Sequence, residues 1–223
     1  MASVRTEESK GLEVRSDKYI RAMIDHVRGL TGAKWFVETG TEYGDTAKWA
    51  SGVFDHVITI EASPQHFEAS GPILDPLENV TRVLGESHKL LREADNWIPS
   101  WEPVVYYLDA HWSTGPVDDD YYGRLDPCPL LKEIAAVKNR SPGGPNYIFI
   151  DDVRMFAYPG YVPKGSAQTN PSLREIILAL WNYEVAVYAD CFMCLPMVGG
   201  PYPMDIIHSW RRTIHKTWMD ILV

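Results

Sequence analysis

The chain has 223 residues, 45% of them hydrophobic, with 8 Trp, 12 Tyr and 6 Phe, which is enough apolar surface for one sizeable core. A formal net charge of -9 excludes a general positive field that would gather polyanions, so no nucleic-acid partner is expected. Three cysteines, Cys128, Cys191 and Cys194, are too few for a disulfide-built secreted domain.

Residues 1–15 are polar and patternless and read as a flexible N-terminus ahead of a single domain over 16–223. The stretch Met1 to Lys10 lacks the apolar run of a signal peptide, and no run of about 18 apolar residues could span a bilayer, so the expectation is a cytoplasmic protein with no membrane partner. From Ser16, a candidate N-cap, Ile20, Met23, Ile24, Val27 and Leu30 recur at helical spacing, and Gly29 and Gly32 supply the stop. Trp35 to Val37 then reads as a short buried strand, Glu38 to Gly44 as a glycine-bearing turn, and Asp45 to Gly52 as a helix. The alternation continues with strands at His56 to Ile60, Val80 to Leu84, Val104 to Leu108 and Tyr147 to Ile150. Helices are predicted at Pro64 to Ser70, His88 to Trp97 and Leu130 to Asn139. Nearly continuous apolar strands alternating with helices predict an α/β fold with a mostly parallel sheet covered on both faces. At the end, Leu173 to Tyr183 reads as a helix, and Tyr183 to Tyr188 with Phe192 to Leu195 as an antiparallel pair joined by a tight turn at Ala189-Asp190-Cys191. The segment from Trp210 to Val223 is ambiguous, and Trp210 and Trp218 are assigned either to a homodimer contact or to the core.

In an open α/β sheet, ligands bind beyond the carboxyl ends of the strands, where this sequence places Glu38, Glu61, Asp109, Asp151 and Asp152. Gly40 and Gly44 allow a tight turn and close approach of a ligand at a helix N-terminus. Glu61, closing the second strand, is placed to accept hydrogen bonds from both ribose hydroxyls of a nucleoside. The acid at Glu38 stands where a dinucleotide-binding turn carries its first glycine. It would repel a pyrophosphate but suits a ligand with a positive centre and an amino group.

The run Phe36 to Thr46, with Glu38, Thr39, Gly40, Thr41, Gly44, Asp45 and Thr46, resembles the first motif of class I S-adenosylmethionine (SAM)-dependent methyltransferases in its bacterial small-molecule form. Glu61-Ala62-Ser63 is similar to their ribose-binding segment and Glu86-Ser87 to their adenine-side segment; Asp109 and the Asp151-Asp152 pair resemble the motifs after strands four and five. The resemblance covers residues 33 to 198. It implies a Rossmann-like seven-stranded sheet with an antiparallel last strand. It also implies methyl transfer to a hydroxyl of a small-molecule substrate, a sugar or a secondary metabolite. Metal-dependent sugar and macrolide O-methyltransferases of this superfamily bind Mg2+ through three such acids, which implies Asp109, Asp151 and Asp152 as metal ligands. His111, in an Ala110-His111-Trp112 context where those enzymes commonly carry Gly-Asp, is the candidate base together with Asp109. A hydroxylase-like enzyme with the same three acids and a non-catalytic nucleoside-binding module are the alternatives on this scaffold.

Other features have plainer readings. Asp118 to Asp120 form a solvated loop, the loop from Ser113 to Asp126 with Tyr121 and Tyr122 suits a lid or substrate wall, and Tyr158 to Pro171 is expected over the site or as a surface excursion. Cys191 and Cys194 have C-x-x-C spacing, yet two further zinc ligands in register are missing, so strand packing is expected. Asp152 is read either as a ligand or as the cap of the following segment.

Overall fold

The computed structural model describes residues 7–111, 126, 128–140, 144–157, 170–201 and 203–221. Among them is a seven-stranded sheet: β1 (Trp35–Thr39), β2 (His56–Glu61), β3 (Val80–Leu84), β4 (Val104–Leu108), β5 (Asn146–Ile150), β6 (Tyr183–Tyr188) and β7 (Cys191–Pro196). The spatial order is β3-β2-β1-β4-β5-β7-β6. The first five strands are parallel and β7 runs antiparallel between β5 and β6. The predicted fold class is what the chain adopts. The β1/β4 boundary, where the strand order reverses, is the topological switch point, and it opens the crevice that can take a ligand.

Buried apolar residues cover both sheet faces. On one face Ile20, Met23, Ile24 and Val27 of α1 (Glu7–Thr31) pack on Phe36, Val105, Phe149 and Met193. On the other, Ile134 and Val137 of α5 (Leu130–Lys138) and Ile176 of α7 (Leu173–Ala179) pack on Val37, Val104, Tyr106 and Ile148. Val104 to Leu108 are buried without exception, as a central parallel strand requires. A fully buried side chain such as Phe36 or Ile148 is worth about 1.5–3 kcal/mol.

Several boundaries differ from the sequence expectation. Helix α1 begins at Glu7, nine residues before the Ser16 start, in a stretch with no apolar stripe to announce it. The helix predicted over His88 to Trp97 is a four-residue α4 (Ser87–Leu90) followed by a 3-10 turn (Leu91–Asn96), which brings Leu91 and Ala94, three apart, onto one buried face. Helix α7 stops at Ala179, and Tyr183 goes to β6. The β6–β7 hairpin turns on two residues, Ala189 and Asp190, with φ of 49° and 67°, the positive values that the favoured two-residue hairpin turn needs. The ambiguous C-terminal segment belongs to a helix, α8 (Pro203–Ile221), which buries Ile206, Ile207 and Trp210. Trp210 packs against His26 and Tyr188 inside the chain's own core; the Trp218 side chain lies outside the described residues. No helix among the described residues is long and apolar enough to cross a membrane.

Candidate active site

The turn after β1 is shaped by close backbone approach. Gly40 has φ 83°, and a Cβ there would lie 2.7 Å from the carbonyl oxygen of Asp109, so the turn can pass the end of β4 only without a side chain. Its N–H donates to the Ile60 carbonyl at 2.9 Å, tying it to β2 as well. Gly44, φ 87°, precedes α2 (Asp45–Ser51) and fits beneath Leu74 of α3 (Pro64–Leu74). Asp45 is exposed and Thr46 half-buried in the first turn of α2.

Two glutamates face this turn. Glu38 is 2% exposed and lies opposite Thr59 in the β1–β2 register. Thr59 Oγ1 donates to Glu38 Oε2 at 2.6 Å and accepts from Thr41 Oγ1 at 2.6 Å. Burial pushes the Glu38 carboxyl up to about 8; the Thr59 bond opposes the shift, the Glu61 charge adds to it, and Arg21 opposes it. Glu61 is buried too, but both its oxygens accept from backbone: Oε2 from the Glu42 amide at 2.9 Å and Oε1 from the Ser63 amide at 2.8 Å. Each oxygen keeps a second lone pair for a ligand hydroxyl. Ser63 caps α3 by accepting from the His66 amide, and Ala62 is half-buried between the two.

After β3, the Glu86 carboxylate is ion-paired with Lys89 and lies 3.8 Å from His88 Nε2. Ser87 is buried, and so is Glu133 on α5. Burial pushes the Glu133 carboxyl up to about 7, and the neighbouring Ser87 and Thr39 hydroxyls oppose the shift.

The ends of β4 and β5 bring four charged groups together. His111 Nε2 lies 2.5 Å from Asp152 Oδ2, and His111 Nδ1 is 3.4 Å from Asp109 Oδ1. Burial would lower the His111 pKa, but the Asp152 bond and the charges of Asp109 and Asp152 outweigh it and raise it to about 9, so the ring is cationic at neutral pH. Desolvation drives Asp109 well above the usual carboxylate range; His111 pulls it back, and Asp151, Asp152 and Glu38 push it further up. Asp152 has a left-handed backbone, φ 58°. Although burial would raise it, its carboxylate is held below the usual range by His111 and by Arg154, whose Nη2 is 2.6 Å from Oδ1. Asp152 thus spends its side chain on the cluster. Asp151 turns the other way: it accepts from the Tyr107 hydroxyl, and its Oδ1 accepts from the Asp152 amide at 2.8 Å. Burial raises its pKa despite the Tyr107 bond.

Asp109, His111 and Asp152 each offer a donor atom within 4.8 Å of the others. Two carboxylates and an imidazole are a donor set that a divalent ion could take once the His111 proton is displaced. Asp151, the third acid implied by the resemblance, stands beside this group with its oxygens engaged by Tyr107 and the Asp152 amide. A small pocket lined by Asp109, His111, Cys128, Glu133, Asp151 and Phe156 adjoins it.

Sequence reasoning missed Thr59, Tyr107, Glu133 and Arg154. A hydroxyl in the apolar strand His56–Glu61 was a usable signal for Thr59; Glu133 on an amphipathic helix gave none. Cys191 and Cys194 project to opposite faces of the sheet, one into each apolar cluster, so they cannot share a metal. Asp118 to Asp120, Tyr121, Tyr122, Tyr158, Tyr161 and Lys164 lie outside the described residues.

No family model and no curated protein matches the chain. Among solved structures, it is similar to the O-methyltransferase from Bacillus cereus in complex with S-adenosylhomocysteine (SAH). The TM-score is 0.52 at 14% identity, over 86% of this chain and 92% of that one. It is also similar to the O-methyltransferase TomG from Streptomyces achromogenes, involved in tomaymycin synthesis and in complex with SAM. There the TM-score is 0.53 at 14% identity, over 81% of this chain and 80% of that one. At such identity the likeness shows the fold, which is the class I methyltransferase form of the Rossmann-like sheet.

Proposed function

We propose that this chain is a SAM-dependent methyltransferase acting on a hydroxyl of a small molecule, a sugar or a secondary metabolite. The observation that carries the reading is the meeting, at one switch point, of a nucleoside-type acid and a cluster able to accept a proton. Glu61, fixed by two amides, faces the same crevice as Glu38 and the Asp109–His111–Asp152 group. The Glu38 and Glu61 carboxyls suit the amino group and the ribose hydroxyls of the cofactor. Thr39, Gly40, Thr41 and Gly44 shape the turn around it, with Ala62, Ser63, Glu86 and Ser87 on the adenosine side.

In the reaction, the substrate oxygen attacks the methyl carbon as the carbon–sulfur bond breaks, the bonding pair passes to sulfur, and the hydroxyl proton leaves to a base. Asp109, whose carboxyl burial raises well above the ordinary range, is the acceptor, and His111 holds it in place. A divalent cation, Mg2+ in this reading, would lower the pKa of the substrate hydroxyl when bound. Asp109 and Asp152 are the carboxylates best turned to hold it, with Asp151 adjacent.

Calorimetric titration with SAM and SAH, with and without Mg2+, tests the reading. Micromolar binding that Glu61→Ala weakens at least tenfold is the expected result, and a Mg2+ effect would support the acid cluster. No binding under any condition would sink the reading.

A further inference from the structure

One buried hydroxyl stands in a row that packing alone would leave apolar. In the β1–β2 register Phe36 lies opposite Val57, and Glu38 opposite Thr59. Phe36 and Val57 belong to the apolar cluster that packs under α1. Because side chains alternate along a strand, Glu38, Thr59 and, two residues on, Glu61 continue that row towards the crevice. Thr59 is fully buried, and valine has the same shape without the cost of burying a hydroxyl. Its partners account for the hydroxyl. Thr59 Oγ1 donates to Glu38 Oε2 and accepts from Thr41 Oγ1, both at 2.6 Å. Those bonds use its single proton and one lone pair, so the hydroxyl is fixed in rotation. Thr41 is itself held in the turn after β1, where its carbonyl accepts from the Gly44 amide at 2.8 Å, and the amide of the next residue, Glu42, donates to Glu61 Oε2 at 2.9 Å. Thr59 and Glu61, on one face of β2, therefore each tie down one residue of that turn, and Thr59 also reaches the Glu38 carboxyl.

We propose that Thr59 is a positioning residue that sets the Glu38 carboxyl for the amino group of the cofactor. The proposal rests on the cofactor reading above. Thr59 acts through Glu38 and not on the ligand. A carboxyl anchored at one oxygen keeps one orientation, so an arriving amine meets it already in place, and the ordering cost falls on folding instead of binding. The same hydrogen bond favours the ionised carboxylate, the form that pairs with an ammonium group, against the burial that disfavours it.

SAH binding is to be measured by calorimetry on the wild-type protein, Thr59→Val, Thr59→Ser, Glu38→Gln and the double variant, with urea unfolding to establish that each is folded. Thr59→Val, which keeps the shape and removes the hydroxyl, is expected to bind SAH about tenfold more weakly, and Thr59→Ser, which restores the hydroxyl, within about threefold of wild type. Glu38→Gln is expected to lose about tenfold, and adding Thr59→Val to it to change affinity by less than about threefold, because the hydroxyl then has no carboxylate to set. A hydroxyl that serves only the packing of the turn would make the two losses multiply. Should Thr59→Val fail to fold, Thr41→Val frees the Thr59 hydroxyl to turn; it is expected to cost about threefold in the wild-type background and nothing in the Glu38→Gln background. Unchanged affinity in the folded Thr59→Val or Thr41→Val protein, Thr59→Ser as weak as Thr59→Val, Glu38→Gln as tight as wild type, or losses that multiply would each overturn the assignment while SAH binding by the wild-type protein leaves the cofactor reading standing. Absence of SAH binding by the wild-type protein overturns both.

Discussion

The two sides of the crevice solve the problem of holding acids in opposite ways. At the β1–β2 end, Glu61 has a backbone amide on each oxygen and Glu38 has the Thr59 hydroxyl, and a hydrogen bond to a charged group contributes about 1.5–3 kcal/mol. At the β4–β5 end, Asp109, Asp151 and Asp152 crowd one another, and like charges about 4 Å apart repel by roughly 4 kcal/mol at an effective dielectric of 20. His111 and Arg154 relieve part of that repulsion. On the proposed reading, the first side is a finished receptor for hydroxyls and an amine. The second stores repulsion that a proton or a cation relieves, which suits chemistry in which charge moves.

The largest expected effect comes from the point where the two sides touch. Gly40→Ala adds a Cβ against the Asp109 carbonyl at a φ of 83°, and should destabilise the protein by about 3 kcal/mol or more in urea unfolding. An unchanged midpoint would mean the two sides are mechanically independent. Next is Glu38→Gln. Because the folded-state pKa of Glu38 is raised to about 8 from 4.5, its contribution to stability is fully present below pH 4.5 and is lost as pH rises through 8. Glu38→Gln should therefore stay close to wild type in stability at pH 5 and clearly exceed it at pH 9. A parallel pH dependence of both proteins would show that it comes from groups other than Glu38. The smallest is Tyr107→Phe, which removes the Asp151 partner and should cost about 1 kcal/mol while leaving SAH affinity within twofold. A large loss of SAH affinity would erase the division between the two sides.

The fold was legible because its signals are local. Apolar runs such as Val104 to Leu108 and Tyr147 to Ile150 are strands buried on both faces, and the Ala189-Asp190 step between two strands is a hairpin turn. The start of α1 was not, since Glu7 to Arg15 carries no apolar period. The acids at the strand ends were visible, but their pointing directions were not. Asp151 and Asp152 are neighbours in sequence, and only the left-handed backbone at Asp152 sends one carboxylate to Tyr107 and the other to His111. Glu133 was hidden for a related reason: a single acid on a helix face looks solvated until the fold buries it.

The hairpin turn has a consequence for how the molecule is made. The Asp190 carbonyl accepts from the Val153 amide and its carboxylate from the Arg154 amide, both at 2.9 Å, and Arg154 is also ion-paired with Asp190 and Asp152. The residues just after Asp152 are thus anchored by a turn almost forty residues later in the chain. During synthesis the half of the crevice built from β1 and β2 can take shape early, while the half carrying Asp152 waits for the last hairpin to emerge. If the proposed function holds, a nascent chain would be competent to recognise its cofactor before it was competent to use it.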